Sequence, residues 1–91
     1  MIATLSQAAE AMQGVLHGND RPFKGVSTDT RSIRDGELFF ALQGPNFDGR
    51  DYIGVASEKG AAGAVVSRLV DDDLAQITVD DATAALGRFG A

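Results

Sequence analysis

Between Asp35-Gly36 and Gly44-Pro45 the chain runs Glu37-Leu38-Phe39-Phe40-Ala41-Leu42, an apolar segment of strand rather than helix length. A strand with one wet face alternates apolar and polar residues, whereas an unbroken run belongs to a strand covered on both faces. This segment is read as the central strand. It requires one layer of structure above the sheet and another below, and the rest of the chain must supply them.

The rest has the right periodicities. Thr4-Leu5-Ser6-Gln7 fits a capping box, and Leu5, Ala8, Ala9 and Met12 fall on one face of a helix predicted over 5–13, with Gly14 as its stop. A second helix is predicted over 49–59, capped by Asp48-Gly49, with Tyr52, Val55 and Ala56 toward the sheet and Gly60 at its end. Asp80 or Asp81 caps a third, which carries Ala82, Ala85, Leu86 and Phe89 on one side. Val15-Leu16-His17 is short enough for an edge strand, and His17 reads as a surface residue of it. Residues 19–22 read as a turn in which Pro22 interrupts pairing. A strand fits 23–29 and ends near Thr30-Arg31, and Asp35-Gly36 turns the chain back. Two further strands follow, Ala61-Ala62-Gly63-Ala64-Val65-Val66-Ser67, whose small residues let a helix lie close, and Ala75-Gln76-Ile77-Thr78-Val79. Residues 43–49 are expected to be a loop, since Gly44-Pro45 and Asn46 break regular structure. The expected fold is α/β, a single small domain with a mixed β-sheet flanked by about three helices, mixed because several links are too short for crossovers. The helical pattern runs on to residue 91, as expected of a chain cut from something longer.

Composition excludes several kinds of function. Eight Lys and Arg against 13 Asp and Glu give a net charge of −5, the wrong sign for a nucleic-acid surface. An anionic ligand held by one or two arginines is still compatible with it. No apolar run approaches the eighteen or so residues of a membrane span, and the N-terminus lacks the features of a signal peptide, so a cytoplasmic protein is expected. Zero cysteines and one histidine leave no thiolate or zinc site, and Asp71-Asp72-Asp73 reads as a solvated loop or cap.

The polar residues of interest stand in the turns beside the apolar run, where small ligands are usually held. By themselves they have structural readings: Asp29 and Arg31 as an ion pair bracing a turn, Thr28 and Thr30 as strand residues, Asn46 as a turn former and Phe47 as a core plug.

The segments Ser27-Thr28-Asp29-Thr30-Arg31, Asp35-Gly36-Glu37-Leu38-Phe39-Phe40-Ala41-Leu42-Gln43-Gly44 and Phe47-Asp48-Gly49-Arg50-Asp51-Tyr52-Ile53, with Glu58-Lys59-Gly60-Ala61-Ala62-Gly63-Ala64 beyond, closely resemble the N-terminal domain of Mur ligases. The pattern D-[ST]-R, G-x-L-F-x-A-L-x-G and D-G-x-x-[FY]-I is specific because its three parts occur in register, and the likeness covers essentially all of 1–91. These ligases are cytoplasmic, ATP-dependent, amide-forming enzymes of peptidoglycan synthesis, and thus of cell shape and division. The resemblance implies three domains, this one for the UDP end of a UDP-N-acetylmuramoyl-tripeptide substrate. The absent central ATPase and C-terminal domains would be its partners, with ATP and Mg2+ serving the full-length enzyme. It assigns no catalytic residue to this chain, which lacks a G-x-x-G-K-[ST] phosphate loop and is expected to be inactive alone.

By position, the family's uridine contacts fall on Thr28 and Thr30 and on Pro45, Asn46 and Phe47, with Arg31 and Arg50 as candidates for the diphosphate. Within the family, the opening residues and Val66-Ser67-Arg68 are most like the branch that adds D-alanyl-D-alanine; the branch that adds the third amino acid is the alternative. A non-catalytic ligand-binding or regulatory module of similar fold is the other.

Overall fold

The computed structural model describes residues 3–44 and 47–90. A short strand β1 (Ala3–Thr4) leads into helix α1 (Leu5–Ala11), and the capping box forms: the Thr4 hydroxyl accepts the Gln7 N–H at 3.3 Å, and the Gln7 side-chain oxygen accepts the Thr4 N–H at 2.9 Å. The helix stops two residues earlier than expected, through Gln13, whose φ of 58° places it, rather than Gly14, in the left-handed region. Gly14 serves a different purpose. A Cβ there would lie 2.7 Å from both Ile77 Cγ2 and the Thr78 carbonyl oxygen, so only glycine lets the chain pass this close to the sheet.

In chain order there follow β2 (Val15–His17), β3 (Pro22–Phe23), β4 (Val26–Ser27), β5 (Leu38–Phe40), β6 (Gln43–Gly44), β7 (Phe47–Asp48), a 3-10 turn (Gly49–Tyr52), α2 (Ile53–Glu58), β8 (Gly63–Val66), β9 (Gln76–Thr78) and α3 (Ala82–Gly90). The main sheet has five strands in the order β2-β9-β8-β5-β4. Its β9, β8, β5 and β4 are mutually parallel, and β2 runs antiparallel to β9. The sheet is mixed as expected, but not because its links are short. The 28–37 and 67–75 links carry no helix and still join parallel neighbours; β2 alone is reversed. β5 is buried at all three residues, yet the middle strand of the five is β8.

Four other expectations change. The strand expected over 23–29 is divided: β3 pairs with β1 in a ladder of its own, and β4 joins the main sheet. Pro22 takes part in that ladder, opposite Thr4, as a proline can where no further strand needs its missing N–H. The 43–49 loop contains a small antiparallel hairpin, β6 with β7. The second helix begins as a 3-10 turn, capped by Asp48, and its buried face is set by Ile53 and Ala56 rather than by Tyr52 and Val55. Ile53 and Ala56 are buried, whereas Tyr52 and Val55 are 45% and 39% exposed.

Alternation along the strands divides the core into two layers. Leu38, Phe40, Val65 and Ile77 meet Leu5 and Ala8 of α1, its C-cap Met12, and Ala82 and Ala85 of α3. Phe39, Ala41, Ala64 and Val66 meet Ile33, Ile53 and Ala56 on the α2 side. Asp81, not Asp80, caps α3, accepting the Thr83 and Ala84 N–H groups at 2.9 and 3.2 Å. Phe89 lies among the α3 residues whose side chains are not described. The buried Gln76 holds the 69–74 loop like a backbone partner: its side chain accepts from Val70 N–H and donates to Val70 C=O, both at 2.8 Å.

Candidate functional site

Because β4 and β5 are parallel, the turns that follow them emerge on one edge of the sheet. Open α/β sheets take their ligands outside the carboxyl ends of the strands. There a cavity of about 480 Å³ opens between the two turns, lined by Thr28, Asp29, Thr30 and Arg31 on one side, Gly49 and Tyr52 on the other, and Phe39 and Leu42 between them.

The first turn is shaped by its own side chains. Ser27 Oγ accepts the Asp29 N–H at 3.2 Å and donates to the Asp29 carbonyl at 3.0 Å. Asp29 Oδ1 accepts the Arg31 N–H at 2.8 Å, while the Arg31 guanidinium lies across the carboxylate, Nε at 3.1 Å from each oxygen and Nη2 at 2.8 Å from Oδ2. The ion-pair reading of these two residues therefore holds. The guanidinium hydrogen bond, followed by the backbone N–H, keeps the Asp29 carboxyl below the usual carboxylate range, and the carboxylate in turn raises Arg31. Arg31 spends only one side of its fork on Asp29. Its side chain is 89% exposed, which leaves Nη1 free to meet an anion.

The second turn repeats the device. Asp48 Oδ1 accepts the Arg50 N–H at 2.9 Å, and Arg50 Nη2 lies 2.6 Å from Asp48 Oδ2. Here the partners are 25% and 29% exposed, and the pairing raises Arg50 above its ordinary value. The glycine between them is needed for packing: a Cβ on Gly49 would stand 2.6 Å from the Leu42 carbonyl oxygen.

Of the residues expected to form the site, Thr28, Thr30 and Arg31 come together in the cavity. Thr30 is buried and Thr28 exposed, and neither hydroxyl has a hydrogen-bond partner among the described residues, so both are available to a ligand. Arg50 stands beside the cavity, which its neighbour Gly49 lines. Pro45 and Asn46 lie outside the described residues, and of Phe47 the backbone is described, in β7. Sequence reasoning missed Tyr52, which it turned toward the sheet, and Phe39, which is both core and cavity floor. It also missed Lys59, whose ammonium donates to the Thr30 carbonyl at 2.6 Å. No signal in the sequence marked Tyr52, since the 3-10 start of the second helix is seen only in the structure. Nothing local signals a contact between residues 30 and 59.

Comparison with known proteins bears on all of this. A family profile described as "Mur ligase family, catalytic domain" matches residues 22–90. The UDP-N-acetylmuramoyl-tripeptide--D-alanyl-D-alanine ligase of Escherichia coli is 42% identical over 97% of this chain, which spans 20% of that protein. A UDP-N-acetylmuramoyl-L-alanyl-D-glutamate--2,6-diaminopimelate ligase of Aquifex aeolicus is 40% identical over 71% of the chain, which here spans 14% of the relative. A crystal structure of MurF from Acinetobacter baumannii superposes with a TM-score of 0.89 at 31% identity, over 99% of this chain and 20% of that one. MurF of Thermotoga maritima, solved with ADP, gives a TM-score of 0.64 at 27% identity, over 72% of this chain and 16% of that one.

The 91 residues contain no G-x-x-G-K-[ST] segment, and no group of acidic residues or His among the described residues is disposed to hold a metal ion. Mur ligases are ATP-dependent peptide ligases of peptidoglycan synthesis. On the profile match and these relatives, MurF and MurE enzymes among them, the chain belongs to the Mur ligase family as a Mur ligase N-terminal domain.

Proposed function

We propose that this chain is the substrate-binding domain of an ATP-dependent ligase that adds D-alanyl-D-alanine to UDP-N-acetylmuramoyl-tripeptide in the cytoplasm, and that the cavity at the carboxyl ends of β4 and β5 receives the UDP moiety. One observation carries the reading: the cavity gathers two unengaged threonine hydroxyls, a partly free guanidinium and an exposed tyrosine ring at one rim of the sheet. A pyrimidine presents two carbonyl acceptors and an N–H donor, which hydroxyls can match, and an aromatic ring offers a surface to stack on. Arg31 Nη1, with Arg50 as a second cation beside the cavity, would meet the diphosphate.

In this role the chain performs no bond-making step. It binds and orients one end of a long substrate, so that remote binding energy positions the reacting carboxylate elsewhere. The carboxylate activation, the ATP and Mg2+ it uses and the amine site belong to domains outside these 91 residues. The relatives' greater length agrees with this, since the chain spans only about a fifth of the E. coli ligase.

Titration of isotope-labelled chain with UDP tests the reading. Amide shifts are expected at 28–31 and 49–52, with weak affinity because one domain supplies part of the site. No shift across 27–31 and 44–52 at about millimolar UDP overturns it. The diaminopimelate-adding branch is a second reading, favoured by the 40% identical Aquifex relative. The amine acceptor used by the full-length enzyme decides between them: turnover with D-alanyl-D-alanine supports the first, and turnover with 2,6-diaminopimelate alone overturns it.

A further inference from the structure

The 29–31 turn forms one wall of the cavity, and its side-chain bonds are almost all local. Ser27, Asp29, Arg31 and Ser32 bond among themselves, which fixes the shape of the turn but not its place on the protein. The exception is Lys59. It is the C-cap residue of α2, its own N–H returns to Val55 C=O at 3.1 Å, and from that rigid point its ammonium reaches the Thr30 carbonyl at 2.6 Å. The following residue strengthens the anchor, since the Gly60 carbonyl accepts the Gly36 N–H at 2.8 Å and ties down the far end of the same connection. A charge-assisted bond from a fixed helix end to the middle residue of a turn sets the distance between the two cavity walls, because Tyr52 leads directly into α2.

We infer that Lys59 is a positioning residue for the nucleotide: by holding the Thr30 carbonyl from the end of α2, it sets the spacing between the Thr28–Thr30 hydroxyls and Tyr52 and so governs affinity for the ligand. The inference rests on the UDP reading of the cavity. The contact engages the Thr30 carbonyl and leaves its hydroxyl, which has no partner among the described residues, to the ligand.

The test compares Lys59→Met, Lys59→Gln and Lys59→Arg in the same 91-residue chain, with UDP affinity, amide shifts and melting temperature measured for each. Lys59→Met is expected to weaken UDP binding about tenfold, because the ligand must then order a turn that the bond no longer holds in place, and to lower the melting temperature by a few degrees. Lys59→Arg, which keeps both charge and donors, should restore most of the affinity. Lys59→Gln should fall between, since it keeps a donor without charge. In the ligand-free protein, Lys59→Met should already displace the carbonyl 13C resonance of Thr30. Unchanged affinity in Lys59→Met, or a fall in affinity that Lys59→Arg does not rescue, overturns the positioning role while leaving the UDP site intact. Absence of UDP binding in the wild-type chain overturns the UDP reading, and this inference with it. An unmoved Thr30 resonance in Lys59→Met overturns the contact itself, whatever the cavity binds.

Discussion

Two Asp-x-Arg clasps shape the turns, Asp29 with Arg31 in the cavity wall and Asp48 with Arg50 around the lining Gly49, and each works because an aspartate oxygen can reach the N–H two residues on while that same residue's guanidinium folds back over it. Identical chemistry does not mean equal weight. Solvent screens the 89%- and 40%-exposed first pair more than the second, which is 25% and 29% exposed. Asp48→Asn is therefore expected to lower the melting temperature more than Asp29→Asn; equal shifts would sink the argument from burial. The first clasp was legible in the sequence as an ion pair bracing a turn, because its partners are two residues apart. The Lys59 contact to Thr30 was not, because folding alone brings residues 29 positions apart together.

At the scale of the element, the beginning of the second helix decides what lines the cavity. A tight 3-10 turn over 49–52 carries Tyr52, which is 45% exposed and lines the cavity. Tyr52 is the one tyrosine of a chain without tryptophan. Its emission should therefore change as UDP enters, and should not respond to glucose at the same concentration. Helix α1 shows how a distant turn supports an element: Asp20 accepts the Ser6 N–H at 2.9 Å and the Ser6 hydroxyl at 2.7 Å. These bonds hold the Asp20 carboxyl below the usual carboxylate range, as the clasp does for Asp29. A carboxylate with a lowered folded-state value adds stability that is fully present above its unfolded value, near 4, and is lost as pH falls through the folded value. The urea midpoint should thus hold from neutral pH to about 4 and decline below it, with Asp20→Asn flattening part of the decline. The three helices, the buried strands and the capping box were readable from period and spacing, though not the end of the first helix or the buried face of the second. What escaped were the division of the 23–29 strand and the 43–49 hairpin, where two-residue ladders carry too little pattern to register.

For the whole molecule, the adjacent phenylalanines of β5 serve different layers. Phe40 is fully buried against α1 and α3; Phe39, on the α2 side, also floors the cavity. Phe40→Ala should cost about 3–5 kcal/mol, a large part of a small domain's stability, as measured by denaturant unfolding. Phe39→Leu should cost less and weaken UDP binding, whereas Phe40→Leu should leave affinity of the folded fraction unchanged. The reversed edge strand has a consequence for how such a chain is made. β2 lies near the N-terminus, yet its partner is β9, with Leu16 opposite Ile77. On a ribosome, residues 15–17 emerge early and must wait for 76–78 before they have anything to pair with. The sheet's first main strand is thus among the last to be secured, and a nascent chain stalled before residue 76 carries both an unpartnered β2 and a β8 with one side open.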